Sequence, residues 1–243
     1  MKEELFNEII DSIESEDIKA FVKDQCIPNI SPYFWEVPAS SSLKFHPQYA
    51  CTVPLGLAKH SLAVAKFLNF FFEVESIGSQ FTTREKDLLK VAALIHDSFK
   101  SGTQEDYEKS KWTKFNHPLI AAEWVNLLEG LSDEDKEFIS HVVSTHMGAW
   151  NTDKRHKDII LPKPEDKYQI VLHLADYLSS RRNINMEFNN LDAETQNNTN
   201  NIDDYILDFG KYKGMKLIDV NKEHHDYIEW LKKQDDFSRE PTS

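Results

Sequence analysis

Along the chain, apolar residues at Leu5, Phe6, Ile9, Ile10 and Ile13 recur at spacings of three and four, the signature of a helix that buries one stripe. Ser15 separates it from a second short helix. Residues 28–56 are rich in Pro and Ser and follow neither the helical nor the strand period, so an ordered irregular loop is predicted. From Leu57 to about Phe72 the sequence is apolar nearly all round, as in a central helix. Thr82-Thr83-Arg84-Glu85 offers a capping box for the next, which runs through Leu88, Leu89, Val91 and Leu94 to His96. Pro118 opens a further helix, Ser132 caps another that ends near His146 and Gly148, and a last long one spans roughly Glu165 to Arg182.

The pattern then changes. Residues 183–201 hold eight asparagines and little periodic hydrophobicity, which predicts a linker. Tyr205–Phe209, a glycine-bounded turn at 210–214 and Met215–Val220 predict a β-hairpin, and HHDYIEWLKK a closing helix. The expected architecture is an all-α body over 1–182, a linker over 183–201, a small hairpin-plus-helix appendage over 202–234 and a tail over 235–243.

Composition narrows the function. A net charge of -13 repels nucleic acid and anionic membranes at long range, so a phosphate-bearing substrate requires local cations. Cys26 and Cys51 form no C-x-x-C pattern, which argues against a disulfide framework or thiolate site and fits a reducing compartment. The acidic, amphipathic N-terminus and the absence of a run of ~18 apolar residues predict a soluble, cytoplasmic protein with no membrane partner. Oligomeric state is not encoded in any of these features.

Four costly residues stand out on apolar helices: His60, His96, Asp97 and Asp176. A shared divalent cation would remove the cost of burying them, because imidazole and carboxylate suit a borderline metal and packed helices can converge such groups. The segments GLAKH (56–60), ALIHDSFK (93–100) and HLADY (173–177) resemble, in order and helical context, the H, HD, D signature of the HD-domain metal-dependent phosphohydrolases. His117 in NHP and His146 in HVVSTHMG make the chain similar to the branch with extra histidines and two metals. Over roughly 36–182 it is similar to the HD module of a bacterial 3'-to-5' exoribonuclease family and to phage-encoded HD proteins. The FGKYKG segment resembles a small C-terminal module of some exonucleases.

The resemblance implies an HD-type helical bundle and one or two divalent ions, with Mn, Fe, Mg, Co, Ni and Zn undistinguished. One ion would lie among His60, His96, Asp97 and Asp176, and a second among Asp97 as bridge, His117 and His146. Two such ions carry +4 against -2 from the carboxylates, a cationic centre suited to a phosphoryl group. Asp97 would orient the attacking water, and Lys100, one turn on, would neutralise a phosphate oxygen. Arg181, Arg182 and Trp150 are candidate substrate contacts, with Trp112 a second candidate for stacking on a base. His141, about 140° around its helix from His146, and His173 are candidate supports behind the ligands. His46 would line the entrance.

The expected activity is hydrolysis of a phosphoester in a nucleotide or other phosphorylated small molecule. A nuclease acting on single-stranded RNA or DNA, with Lys211, Lys213 and Lys216 of the appendage contacting phosphates, is the alternative. A di-iron oxygenase and a non-catalytic binding protein are lesser ones.

Overall fold

In a computed structural model the protein is described over residues 3–40, 46–152, 158–188 and 211–227. The chain divides into two compact units, Met1–Met186 and Glu187–Ser243. The first contains α1 (Asn7–Asp11), α2 (Glu16–Phe21), α3 (Gly56–Glu73), α4 (Thr83–Ile95), α5 (Gln104–Lys109), α6 (His117–Leu127), α7 (Asp133–Val143) and α8 (Lys167–Ser179). Among the described residues no helix is long and apolar enough to cross a membrane.

Helices α3 and α4 form the centre because their apolar residues occupy more than one face. Gly56–Ala65 of α3 and Asp87–Ile95 of α4 are buried without a break. α3 packs on α4 and α8, and α7 packs on α4 and α6. Caps set the boundaries. The Thr82 hydroxyl accepts from the Glu85 amide while the Glu85 carboxylate accepts from the Thr82 amide. Asp166 accepts from the amides of Tyr168 and Gln169, so α8 begins at Lys167, inside the limits read from the sequence.

The irregular segment before α3 is tightly held. The Leu57 amide donates to the Val37 carbonyl and the Ala39 amide to the Ala50 carbonyl, both at 2.8 Å. Gly56 makes this approach possible, because a Cβ there would lie 2.6 Å from the Ala50 oxygen and 2.8 Å from the Pro38 Cα. At the other end of the bundle, buried Asp87 of α4 accepts from the amides of Glu14 and Ser15 and from the Ser15 hydroxyl, all at 2.9–3.0 Å. Beside it Lys90 Nζ donates to the Ser12 carbonyl at 2.6 Å. This pair clasps the α1–α2 junction onto the helix that ends in the His-Asp motif.

Among the described residues the β-hairpin predicted for the second unit does not form. Its first strand, Tyr205–Phe209, lies outside the described residues, as do the predicted linker from residue 189, the closing helix from residue 228 and the tail. Where the second strand was expected, the chain forms helix α9 (Leu217–Glu223). The β-branched Ile218 and Val220 favour a strand locally, but Lys216 is extended at the N-cap and Asp219 occupies the first turn, where a carboxylate faces the positive end of a helix. Val220 is fully buried against Tyr212, Met215 and Tyr227, which gives the small unit its own core and outweighs strand propensity. β-Pairing among the described residues is represented by an isolated antiparallel bridge, Thr152–Ile159.

Candidate metal centre

The five helical segments that carry the motif residues meet at one buried point. His60 lies in the first turns of α3, His96 and Asp97 follow the end of α4, His117 opens α6, His146 follows α7 and Asp176 lies in the last turns of α8. The side chains of His60, His96, Asp97, His117 and His146 are at most 2 % exposed, whereas those of Asp176 and Lys100 are 19 % and 17 % exposed. The centre is therefore reached past Asp176 and Lys100.

Hydrogen bonds fix which nitrogen of each ring bears the proton. Nδ1 of His96, His117 and His146 lies 2.8, 2.7 and 2.9 Å from the carbonyl oxygens of Ala93, Lys114 and Val143. A carbonyl only accepts, so each Nδ1 is the donor and each Nε2 presents a lone pair. In His60, Nδ1 faces the Ser179 hydroxyl at 3.1 Å; that hydroxyl already donates to the Asp176 carbonyl, so it accepts from His60. Four lone pairs thus converge on two carboxylates.

Their spacing is that of ligands around a cation. His60 Nε2 is 3.1 Å from Asp176 Oδ1 and 3.6 Å from Asp97 Oδ2, and His96 Nε2 is 3.7 Å from Asp97 Oδ2. On the other oxygen of Asp97, His117 Nε2 lies at 3.0 Å and His146 Nε2 at 3.6 Å, with the two nitrogens 3.1 Å apart. Ligands bound at about 2.1 Å to one ion lie roughly 3.0–3.4 Å from each other. Without a cation, facing lone pairs at such distances repel, and His96 Nε2 and Asp97 Oδ1 are buried with no hydrogen-bond partner among the described residues. The donor set fits one or two divalent ions, in the groups His60, His96, Asp97; His96, His146, Asp176; and Asp97, His117, His146.

A family model described as HD domain matches residues 57–181, just over half of the 243 residues. The chain belongs to the HD-domain family. This HD-domain protein carries the catalytic motif of a metal-dependent phosphohydrolase, and its ligand cluster accounts for the burial of polar residues on apolar helices. A second model, described as Exodeoxyribonuclease X-like C-terminal, matches residues 207–236. No curated protein and no solved structure matches the chain.

The remaining sequence candidates fall into distinct places. Lys100 Nζ is 2.5 Å from Asp97 Oδ2. Burial alone would push the Asp97 carboxyl up, but Lys100 leads the groups that hold it well below the usual carboxylate range. His173 donates from Nδ1 to the His146 carbonyl at 2.8 Å. His141 is outside the cluster: it is half exposed and pairs with Asp166 at 2.7 Å, joining α7 to α8. Trp150 is 51 % exposed and lies nearly parallel to Tyr177, with ring centroids 6.1 Å apart. Arg181 folds over the Tyr177 ring at 4.2 Å, and Arg182 and Trp112 are exposed. His46 packs edge-on against His60, 5.0 Å between centroids, and burial lowers its pKa to about 3. Sequence reasoning missed Ser179, whose spacing of three from Asp176 on α8 was the available signal.

Gly148 couples His173 to the ligands. Its φ is +55°, and a Cβ there would lie 2.1 Å from the His173 ring. Gly148→Ala should cost about 1–3 kcal/mol in stability and weaken metal affinity by roughly 10–100-fold through displacement of His146, read from urea midpoints and metal titrations.

Protonation opposes the centre with a defined sign. Burial lowers His96 to about 3 and lowers His117 as well. The folded state then binds fewer protons than the unfolded chain, so stability is full above about pH 6.5 and falls as the pH drops toward the folded values, by up to about 1.4 kcal/mol per pH unit for each group. His146 is raised: burial resists its charging, but the Asp97 carboxylate prevails. As the pH falls, a proton therefore competes with a cation for the Nε2 lone pair of His146, and metal affinity weakens on acidification. Melting of chelator-treated protein should shift downward below about pH 6.5, and a flat profile would contradict the assignment.

Proposed function

We propose that the protein hydrolyses a phosphoester of a nucleotide-like substrate. The observation that carries this reading is the convergence of four imidazole lone pairs and two carboxylates at a buried point whose accessible edge is Asp176 and Lys100. A divalent ion held by His60, His96, Asp97, His117, His146 and Asp176 would supply Lewis-acid polarisation of the phosphoryl group and a lowered pKa for water. Water adds to phosphorus, the bond from phosphorus to the leaving oxygen breaks, and a proton ends on that oxygen. Asp97 orients the water, and the Lys100 ammonium, already 2.5 Å from Asp97, balances charge on a phosphate oxygen. Trp150 and Tyr177, the latter next to Asp176 in sequence, give a flat apolar surface for a base, and Arg181 and Arg182 contribute positive charge nearby.

A nuclease is the second reading, favoured by the match of residues 207–236 to an exodeoxyribonuclease X-like module. Within that unit Tyr212 and His224 stack at 4.4 Å and Lys211 Nζ lies 5.2 Å from the Tyr212 ring centroid, a combination suited to an unpaired base and its phosphate. Metal-loaded protein given a nucleotide panel and labelled single-stranded RNA and DNA separates the two. Release of phosphate or nucleoside from small nucleotides is expected, and cleavage confined to polymers would reverse the order.

A further inference from the structure

A cleft of about 220 Å³ adjoins the metal centre, walled on one side by residues 37–39 and on the other by Lys100, Ser101, Tyr107, Lys111 and Thr113. Lys100 belongs to both places, lining the cleft while its ammonium contacts Asp97. The walls are anchored to the segments that present the ligands. Val37 is tied to Leu57 three residues before His60, and the Lys114 amide donates to the Lys100 carbonyl at 2.8 Å, bracing the chain between Asp97 and His117. Tyr107 is held by stacking on buried Tyr33 at 4.5 Å, and the Tyr33 hydroxyl accepts from the Ser101 amide.

The chemistry of the lining selects an anion. It presents the Lys111 ammonium, the Lys100 side chain whose charge is shared with Asp97, and the hydroxyl-bearing residues Ser101, Tyr107 and Thr113, with no carboxylate in the lining, in a chain whose net charge is -13. Neighbouring Lys109 and Lys114 are paired with Glu105 and Asp106, whereas Lys111 has no carboxylate partner among the described residues; its ammonium lies 5.7 Å from the centroid of the Tyr107 ring. The volume is below the ~300 Å³ at which pockets begin to hold a whole drug-sized ligand, so it suits one group of a larger molecule.

We propose that this cleft receives a second phosphoryl group of the substrate, adjacent to the one attacked at the centre, so that nucleoside diphosphates and similar compounds are preferred over monophosphates. The inference rests on the phosphoester reading above and adds Lys111 and Tyr107 as determinants of specificity. Its test compares kcat/KM for a nucleoside diphosphate and the matching monophosphate in the wild type, Lys111→Ala and Lys111→Arg. In parallel, the affinities of metal-loaded protein for inorganic pyrophosphate and orthophosphate are measured. Lys111→Ala should lower both the diphosphate-to-monophosphate and the pyrophosphate-to-orthophosphate ratios by about tenfold, the loss of one charge-assisted contact, and Lys111→Arg should retain most of each. Lys111 is exposed, so folding is preserved. Ratios unchanged in Lys111→Ala overturn the cleft assignment. Absence of turnover on every ester instead overturns the phosphoester reading, and the affinity ratio still decides whether the cleft binds a second phosphate.

Discussion

Asp97→Asn should reduce phosphoester hydrolysis by on the order of 10³-fold or more and lower the bound divalent metal in step. Both oxygens of this carboxylate are engaged in the geometry: Oδ1 faces His117 and His146, and Oδ2 faces His60, His96 and Lys100. Asparagine keeps the volume but removes the charge and turns one oxygen into a donor, which can satisfy an imidazole lone pair and so leaves the helices in place. Elemental analysis, turnover and far-ultraviolet circular dichroism on the same preparation test this. Normal turnover in a variant with unchanged helicity would remove Asp97 from the reaction.

The second large effect lies far from the centre. Asp87→Ala should destabilise the protein by about 3–5 kcal/mol, because it removes an acceptor shared by two amides and a hydroxyl and leaves Lys90 buried without its carboxylate. The denaturant midpoint should fall while the metal content of the folded fraction is retained. Replacing Lys90 by methionine in the same chain should recover part of the loss, since the uncompensated buried charge is then gone. A shift below about 1 kcal/mol would show that the junction is solvated by other means.

These two residues also mark how far the sequence could be read. Asp97 was legible because burying His-Asp at the end of an apolar run has few inexpensive explanations, and because the other ligands recur in order on helices of recognisable period. The capped start of α4 and the central position of α3 followed from local pattern alone. Asp87 was not legible: its partners are more than 70 residues away, and nothing in the α4 period distinguishes an exposed carboxylate from one that caps a distant turn. The cleft beside Lys100 was hidden for the same reason, since segments 37–39 and 100–113 are distant in sequence and share its lining through tertiary contacts such as the Tyr33–Tyr107 stack. The C-terminal hairpin was misread because Ile218 and Val220 satisfy strand propensity, whereas the folded unit uses Val220 as the centre of a small helical core.

Three of the imidazoles take their aim from the carbonyl three residues earlier in their own turn, and only His60 depends on a distant partner, Ser179. Ligand direction is thus largely written into single turns of chain. Stripping and reloading the protein becomes an exchange of occupants in a standing frame, with no refolding step to discriminate among them. Which ion resides there is then governed by cellular supply as much as by shape, and the surrounding clefts are free to diverge toward new substrates while the frame stays fixed.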